Sequence, residues 1–175
     1  LPMFDQFREH FNNKKVVITG HTGFKGSWLS IWLNQLKADL YGISLDPPTE
    51  PSHYNMLGIS KLITDIRLDI KNREKLNDIL NEIKPDYIFH LAAQSLVKTA
   101  YEDPINTWET NLMGTINVLD CVRNFKHKCS AVIITSDKCY DNQELARGYK
   151  ETDRMGGTDP YSASKGSSEL AFNSF

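Results

Sequence analysis

Three stretches of this 175-residue chain carry side chains whose types and spacing could do chemistry. In Tyr161-Ser162-Ala163-Ser164-Lys165 a phenol and an ammonium stand four residues apart, on one face of any helix that carries them. A free phenol, with a pKa near ~10, is a poor base at neutral pH; a cation beside it favours the phenolate. In Thr135-Ser136-Asp137-Lys138-Cys139-Tyr140 a hydroxyl is followed by a carboxylate and a second ammonium. Ser136 is the hydroxyl to set beside a Tyr161 base, and Asp137 with Lys138 makes an acid–base pair that simple oxidation of an alcohol does not need. In Gly20-His21-Thr22-Gly23-Phe24-Lys25-Gly26 the glycines fall three apart. Glycine allows a tight turn and a close backbone approach to a pyrophosphate, whose charge suits the free N–H groups of a following helix, with Lys25 adding a cation.

These stretches do chemistry only if the fold brings them together, and the chain between them alternates short β-branched runs with segments of helical period. That alternation predicts βαβ units on a parallel sheet, a doubly wound α/β domain. Val16–Thr19 reads as the first strand, with Leu29, Trp32, Leu33 and Leu36 on the helix that follows the glycines. Leu40–Leu45 and Leu62–Ile66 read as the next strands, separated by a Pro- and Gly-containing loop over 47–60. Leu76, Ile79, Leu80 and Ile83 form a helical stripe with Asp69 as its cap. Asp86–Leu91 is a strand, and Asp103-Pro104 opens a helix of about twenty residues burying Ile105, Trp108, Leu112, Ile116 and Leu119. Ala131–Thr135 reads as another buried strand, 137–160 as an ordered loop, and a last helix begins near Tyr161.

Parallel strands present ligand-binding residues at their carboxyl ends, which adds further candidates. Asp46 lies 20 residues beyond Gly26, the spacing of a carboxylate that accepts from the adenosine ribose. A carboxylate repels a 2′-phosphate and no Arg follows at once, so the spacing favours NAD over NADP. Asp65 and Ile66 either flank the adenine or simply close an ordinary strand. His90 reads as a structural histidine, and Trp28, Trp32 and Trp108 as core.

Composition excludes several classes. With 20 Lys and Arg against 22 Asp and Glu, no charge excess draws the chain to nucleic acid or an anionic membrane. Apolar runs such as Ala131–Ile134 are far too short to cross a bilayer, and the amphipathic start is unlike a signal peptide, so a cytoplasmic protein is expected. Cys121, Cys129 and Cys139 read as reduced thiols, and the five histidines never fall at metal-ligand spacings. No metal is expected.

Taken together, the residues resemble the extended short-chain dehydrogenase/reductases that act on nucleotide sugars, the NAD-dependent epimerase/dehydratase family. The strings G-H-T-G-F-K-G-S-W-L, S-L-D-P-P-T, L-A-A-Q-S-L-V, T-S-D-K-C-Y and D-P-Y-S-A-S-K are most similar to its 4,6-dehydratase branch, CDP-glucose being the implied substrate. T-S-D-K discriminates, because epimerases of the family usually carry small or apolar residues where this chain has Asp137 and Lys138. The resemblance implies a Rossmann-type sheet and NAD as cofactor. It implies that Tyr161 and Ser136 engage the sugar 4-hydroxyl, that Lys165 holds the nicotinamide ribose, and that Asp137 protonates the departing 6-hydroxyl. Lys138 stands where dTDP-glucose dehydratases have a glutamate, as a candidate C5 base. Leu91, Ala92, Ala93, Gln94 and Ser95 would run past the diphosphate and nicotinamide, and Asn111 would order the strand–helix region.

The same resemblance implies a lead-in over 1–13 and an incomplete dinucleotide-binding domain over 14–175, the C-terminal nucleotide-sugar domain being absent and the fragment inactive by itself. It implies a homodimer through the helices of Pro104 and Tyr161, and a lyase of deoxysugar supply to surface polysaccharide. An epimerase or reductase on the same scaffold and a non-catalytic NAD-binding module are the competing expectations.

Overall fold

A computed structural model describes residues 2–175; of the lead-in 1–13, residue 1 lies outside the described residues. The strands are β1 (Lys15–Thr19), β2 (Asp39–Ser44), β3 (Thr64–Arg67), β4 (Tyr87–His90) and β5 (Ser130–Ile133). The helices are α1 (Pro2–Phe11), α2 (Phe24–Gln35), α3 (His53–Met56), α4 (Arg73–Ile83), α5 (Val97–Glu102), α6 (Pro104–Trp108), α7 (Gly114–Asn124) and α8 (Pro160–Ser174). The strands form one sheet in the order β3-β2-β1-β4-β5, and every pairing is parallel. This is the Rossmann-type α/β sheet expected from the alternation of apolar runs.

Alternation along β1 feeds two cores. Val16 and Ile18 pack with Leu33, Leu36, Leu40, Tyr54 and Ile59 on one face, while Val17 packs with Ile43, Leu76, Leu80, Ile88 and Val118 on the other. Burial on both faces explains why the central strands read as continuous apolar runs. Phe4 and Phe11 of α1 lie against the first core, so the lead-in is a docked helix.

Several expected elements shift. The third strand begins at Thr64 rather than Leu62, because Leu62 closes a 3₁₀ turn over Ile59–Lys61 before Thr64 pairs with Tyr41. The 47–60 loop contains α3, capped by Ser52 accepting from the Asn55 N–H, and it delivers Tyr54 and Ile59 to the core. The cap of α4 is Asn72; Asp69 instead accepts from the Lys71 N–H in the preceding turn.

Burial of the large side chains also departs from expectation. Trp28 and Trp32 are exposed, since α2 faces the sheet with Gly26, Ser27, Ser30 and Leu33, small residues that let it approach closely. Ile105 is exposed as well. The long helix is continuous from α6 through a π-turn at Glu109–Met113 into α7, capped by Asp103; Leu119 is buried as expected, Trp108, Leu112 and Ile116 only half-buried, and its buried face also takes Thr107, Asn111, Thr115 and Val118. Thr107, Asn111 and Thr115 are polar because they hydrogen-bond across the helix seam. β5 is an edge strand with Val132 exposed, not a buried one.

Candidate active site

The chain leaves β1 toward α2 on one side and enters β4 on the other, so the carboxyl ends of β1 and β4 flank the point where strand order reverses. Open α/β sheets bind ligands at such points. Gly20, at φ +77°, would drive a Cβ to 2.7 Å from the Ala92 nitrogen. A Cβ on Gly26 would stand 2.2 Å from the Gly20 carbonyl oxygen. The glycine turn therefore packs backbone to backbone on the Leu91–Ala92 run, and no larger residue fits. Gly23 is the N-cap of α2 and offers no side-chain cap, which leaves the positive end of the helix open to an anion. Thr22 ties the turn to the end of β2 by bonding Ser44 Oγ at 2.7 Å and donating to the Leu45 carbonyl at 3.1 Å. Phe24 and Lys25 point into solvent at the mouth.

At the end of β2 the carboxylate of Asp46 projects outward. The sequence places no arginine next to it, but the fold does: Arg67 Nε is 3.7 Å from Asp46 Oδ1. Arg67 is held by donating to the Leu45 carbonyl at 2.7 Å and to Asp65 at 2.8 Å, above the Tyr54 ring. Asp65 and Ile66 do not end the strand. Asp65 pairs with Gly42 inside the ladder, and its carboxylate takes the Tyr54 hydroxyl and His21 Nε2 at 2.9 Å. Burial works to raise the Asp65 pKa, but the hydrogen bonds from Tyr54 and His21 and the nearby Arg67 charge outweigh it and hold the pKa low. The residues at the carboxyl edge beyond β3 are Asp69 and Ile70, the same dipeptide four positions later.

On the β4 side, the Ala92 N–H donates to Thr19 Oγ1 at 3.2 Å. The Gln94 backbone is clamped by the Asn111 side chain through bonds of 2.8 and 3.0 Å. Gln94's own side chain is turned inward to Thr107 and the Leu96 backbone, so it shapes the loop and does not reach outward. Asn111 is buried within the π-turn and also donates to Ser164 of α8, consistent with an ordering role.

The expected reacting groups lie at the next edge along. Ser136 follows β5 and caps a 3₁₀ turn over Asp137–Cys139 by accepting from the Lys138 N–H at 3.0 Å, leaving Asp137 and Lys138 exposed. α8 starts at Pro160 with Asp159 accepting from the Ser162 N–H at 2.9 Å, so Tyr161 sits in its first turn. Burial and the hydrogen bonds to Ser162 oppose each other at Asp159, and the bonds, helped by the Lys138 charge, hold its pKa low. A Cβ on Gly166 would lie 2.8 Å from the Gly156 nitrogen and 2.9 Å from the Cys139 carbonyl oxygen, so α8 is seated directly on the Asp137–Cys139 turn. The loop between them is ordered by the Arg147–Asp153 ion pair and the Tyr140–Tyr149 ring stack.

Tyr161 and Lys165 are both buried, at 9% and 6% exposure. The Lys165 ammonium has one hydrogen bond, 3.5 Å to the Ile134 carbonyl. Burial, with the Lys25 charge across the crevice, lowers its pKa to about 8, against a smaller opposing pull from Glu169. A buried, under-partnered cation, a second lysine nearby, glycines that admit no Cβ and an uncapped helix start together fit a diphosphate-bearing dinucleotide with ribose hydroxyls for Lys165. Among the described residues no cluster of His, Cys, Asp and Glu could hold a metal, and no helix is long and apolar enough to cross a membrane.

Fold and site define a Rossmann-type protein of the short-chain dehydrogenase/reductase kind. The chain belongs to the family described as GDP-mannose 4,6 dehydratase, whose model matches residues 17–175. It is 47% identical to the CDP-glucose 4,6-dehydratase of Salmonella typhimurium, covering 96% of this chain and 47% of that protein. It is 28% identical to the CDP-paratose 2-epimerase of Salmonella typhi, covering 89% of this chain and 51% of that one. Among solved structures, the epimerase Mth375 of Methanothermobacter thermautotrophicus superposes with a TM-score of 0.83 at 27% identity, over 99% of this chain and 50% of that one. The UDP-glucose 4-epimerase of Thermus thermophilus, solved in complex with NAD, gives 0.75 at 26% identity, over 91% and 50%. The chain spans about half the length of the curated relatives it matches.

Proposed function

We propose that this chain carries the cofactor site and the reacting residues of an NAD-dependent nucleotide-sugar 4,6-dehydratase whose substrate is CDP-glucose. The observation that carries the reading is the seating of the Ser136–Lys138 turn against the helix of Tyr161 and Lys165, beside a glycine crevice that fits a dinucleotide. An acid and a second ionisable group at Asp137 and Lys138 suit an elimination, which an epimerase does not perform. The 47% identity to the Salmonella typhimurium enzyme supports the same choice.

In this reading Gly20, Thr22, Gly23, Phe24, Lys25 and Gly26 surround the diphosphate, Asp46 accepts from the adenosine ribose, and Asp65 and Ile66 of β3 lie on the adenine side. Leu91, Ala92 and Ala93 floor the crevice, and Gln94 supports that floor. NAD, when bound, supplies reversible two-electron redox chemistry, leaving the overall reaction redox-neutral. Tyr161 takes the proton of the sugar 4-hydroxyl while Ser136 holds the same oxygen, and Lys165 favours the phenolate and binds ribose hydroxyls. Oxidation at C4 acidifies the C5–H bond. Lys138, entering as the neutral amine, takes that proton, and Asp137, entering as the protonated acid, delivers one to the 6-hydroxyl, which leaves as water. The exposed Ile105 and Leu170 support a homodimer through the long helix and α8.

The test is mass analysis of the products formed by the intact enzyme from CDP-glucose and NAD. Loss of one water from the sugar nucleotide is expected. An unchanged mass with an inverted sugar centre would replace the dehydratase by an epimerase, and dehydration of a different nucleotide glucose would keep the reaction and change the substrate.

A further inference from the structure

Beneath the crevice runs a buried chain of hydrogen bonds whose direction can be assigned. The Thr115 hydroxyl has one proton and gives it to the Asn111 carbonyl at 2.6 Å, so its contact with His90 Nε2 at 3.1 Å requires the ring nitrogen to donate. Burial, followed by the Lys165 charge, lowers the His90 pKa to about 3, so the ring is neutral and its Nδ1 accepts. Thr19 Oγ1, 2.7 Å from Nδ1, gives its proton there and takes the Ala92 N–H on its lone pair. At the far end, the single proton of the Ser168 hydroxyl of α8 is shared between the Asn111 carbonyl and the Ser164 carbonyl of its own helix, both at 2.9 Å, and the Asn111 side chain donates to Ser164 Oγ at 2.9 Å. Every member runs one way, from the Ala92 N–H through Thr19, His90 and Thr115 to the Asn111 carbonyl of the π-turn.

We infer that His90 is a positioning residue: as the Nε2–H tautomer it fixes the Ala92 peptide on the crevice floor to the Asn111 carbonyl, the point from which the helix of Tyr161 and Lys165 is also held. This rests on the dinucleotide reading of the crevice. Gly20 leaves no room for even a Cβ beside the Ala92 nitrogen, so a peptide released from Thr19 disturbs the floor on which the glycine turn is packed. Among the described residues no hydrogen bond joins Thr19 to Thr115 except through the ring, which makes their energetic coupling diagnostic.

The experiment measures NAD dissociation constants and melting temperatures for the intact enzyme and for Thr19→Val, Thr115→Val, the double variant, and Thr19→Ser. Thr19→Val is expected to weaken NAD binding about tenfold, the size of one buried hydrogen bond left unmade. Thr19→Ser should stay within about threefold, since the hydroxyl is kept, and the double variant should bind no worse than the weaker single one. NAD affinity unchanged in Thr19→Val despite a lowered melting temperature would overturn the positioning role and leave a structural one. Fully additive losses would overturn the coupling through His90. Failure of the unaltered enzyme to bind NAD would instead overturn the dinucleotide reading, and the inference with it.

Discussion

The β1–β4 crevice and the β5–α8 edge lie side by side on one sheet but are built differently. The crevice is closely packed: β1 is buried from Val16 to Thr19, its turn contacts Ala92 backbone to backbone, and the polar side chains of Thr19, His90 and Thr115 beneath it are paired in one direction. At the β5 edge the strand alternates exposed and half-buried residues, Asp137 and Lys138 stand in solvent, and a groove runs between Val132, Thr135, Glu169 and Phe172. Holding a cofactor asks for fixed backbone amides and tight glycines. Moving protons on a changing substrate asks for reachable side chains whose setting is completed when the substrate arrives.

Breaking the reactive edge should cost the most turnover. Tyr161→Phe is expected to lower turnover by about 10³-fold, within the usual range for loss of a general base, with NAD affinity nearly unchanged in a binding titration. If affinity fell as far as turnover, the two regions would not be separable. Gly26→Ala should break the other side: its Cβ meets the Gly20 carbonyl backbone, so NAD binding should be lost and stability reduced by about 1–3 kcal/mol in urea unfolding.

A pH titration sharpens the comparison where the regions meet. With the Lys165 pKa lowered to about 8, the unfolded chain holds that proton more tightly than the ligand-free fold. Stability from this group should therefore rise between about pH 8 and the unfolded value near ~10.4, by up to about 3 kcal/mol. Lys165→Met should abolish the rise. His90 works in the same sense at lower pH, its neutral buried ring losing stability as the pH falls below the ordinary histidine range. Removing the α8 cap with Asp159→Ala should cost about 1 kcal/mol by chemical denaturation. The smallest effect belongs to Met56→Ser, within about 0.5 kcal/mol, because that side chain is largely exposed.

Local signals carried well from sequence to structure. Gly20, Gly23 and Gly26 stand between strand and helix as expected, Asp103-Pro104 opens the long helix, and Tyr161 with Lys165 shares one face of α8. Periodicity erred where the inward face of a helix is small or polar. Trp28, Trp32 and Ile105 look like core because they are large and apolar, yet α2 approaches the sheet through Gly26 and Ser30, and the long helix buries Thr107, Asn111 and Thr115. Nothing in a linear pattern announces that a polar stripe will find partners on a strand and on another helix.

By itself the sequence determined the parallel α/β class and the placing of the glycine turn, the Ser136–Lys138 turn and the helix of Tyr161 and Lys165, because each rests on neighbours within a few residues and on backbone freedoms that only certain residues have. Tertiary structure alone decided that Arg67 stands beside Asp46, that Asp65 is engaged by His21 and Tyr54, and that His90 joins β1 to Thr115 of α7. Those pairings span 11 to 71 positions of chain. They depend on strand register, in which a shift of one residue sends each side chain to the opposite face.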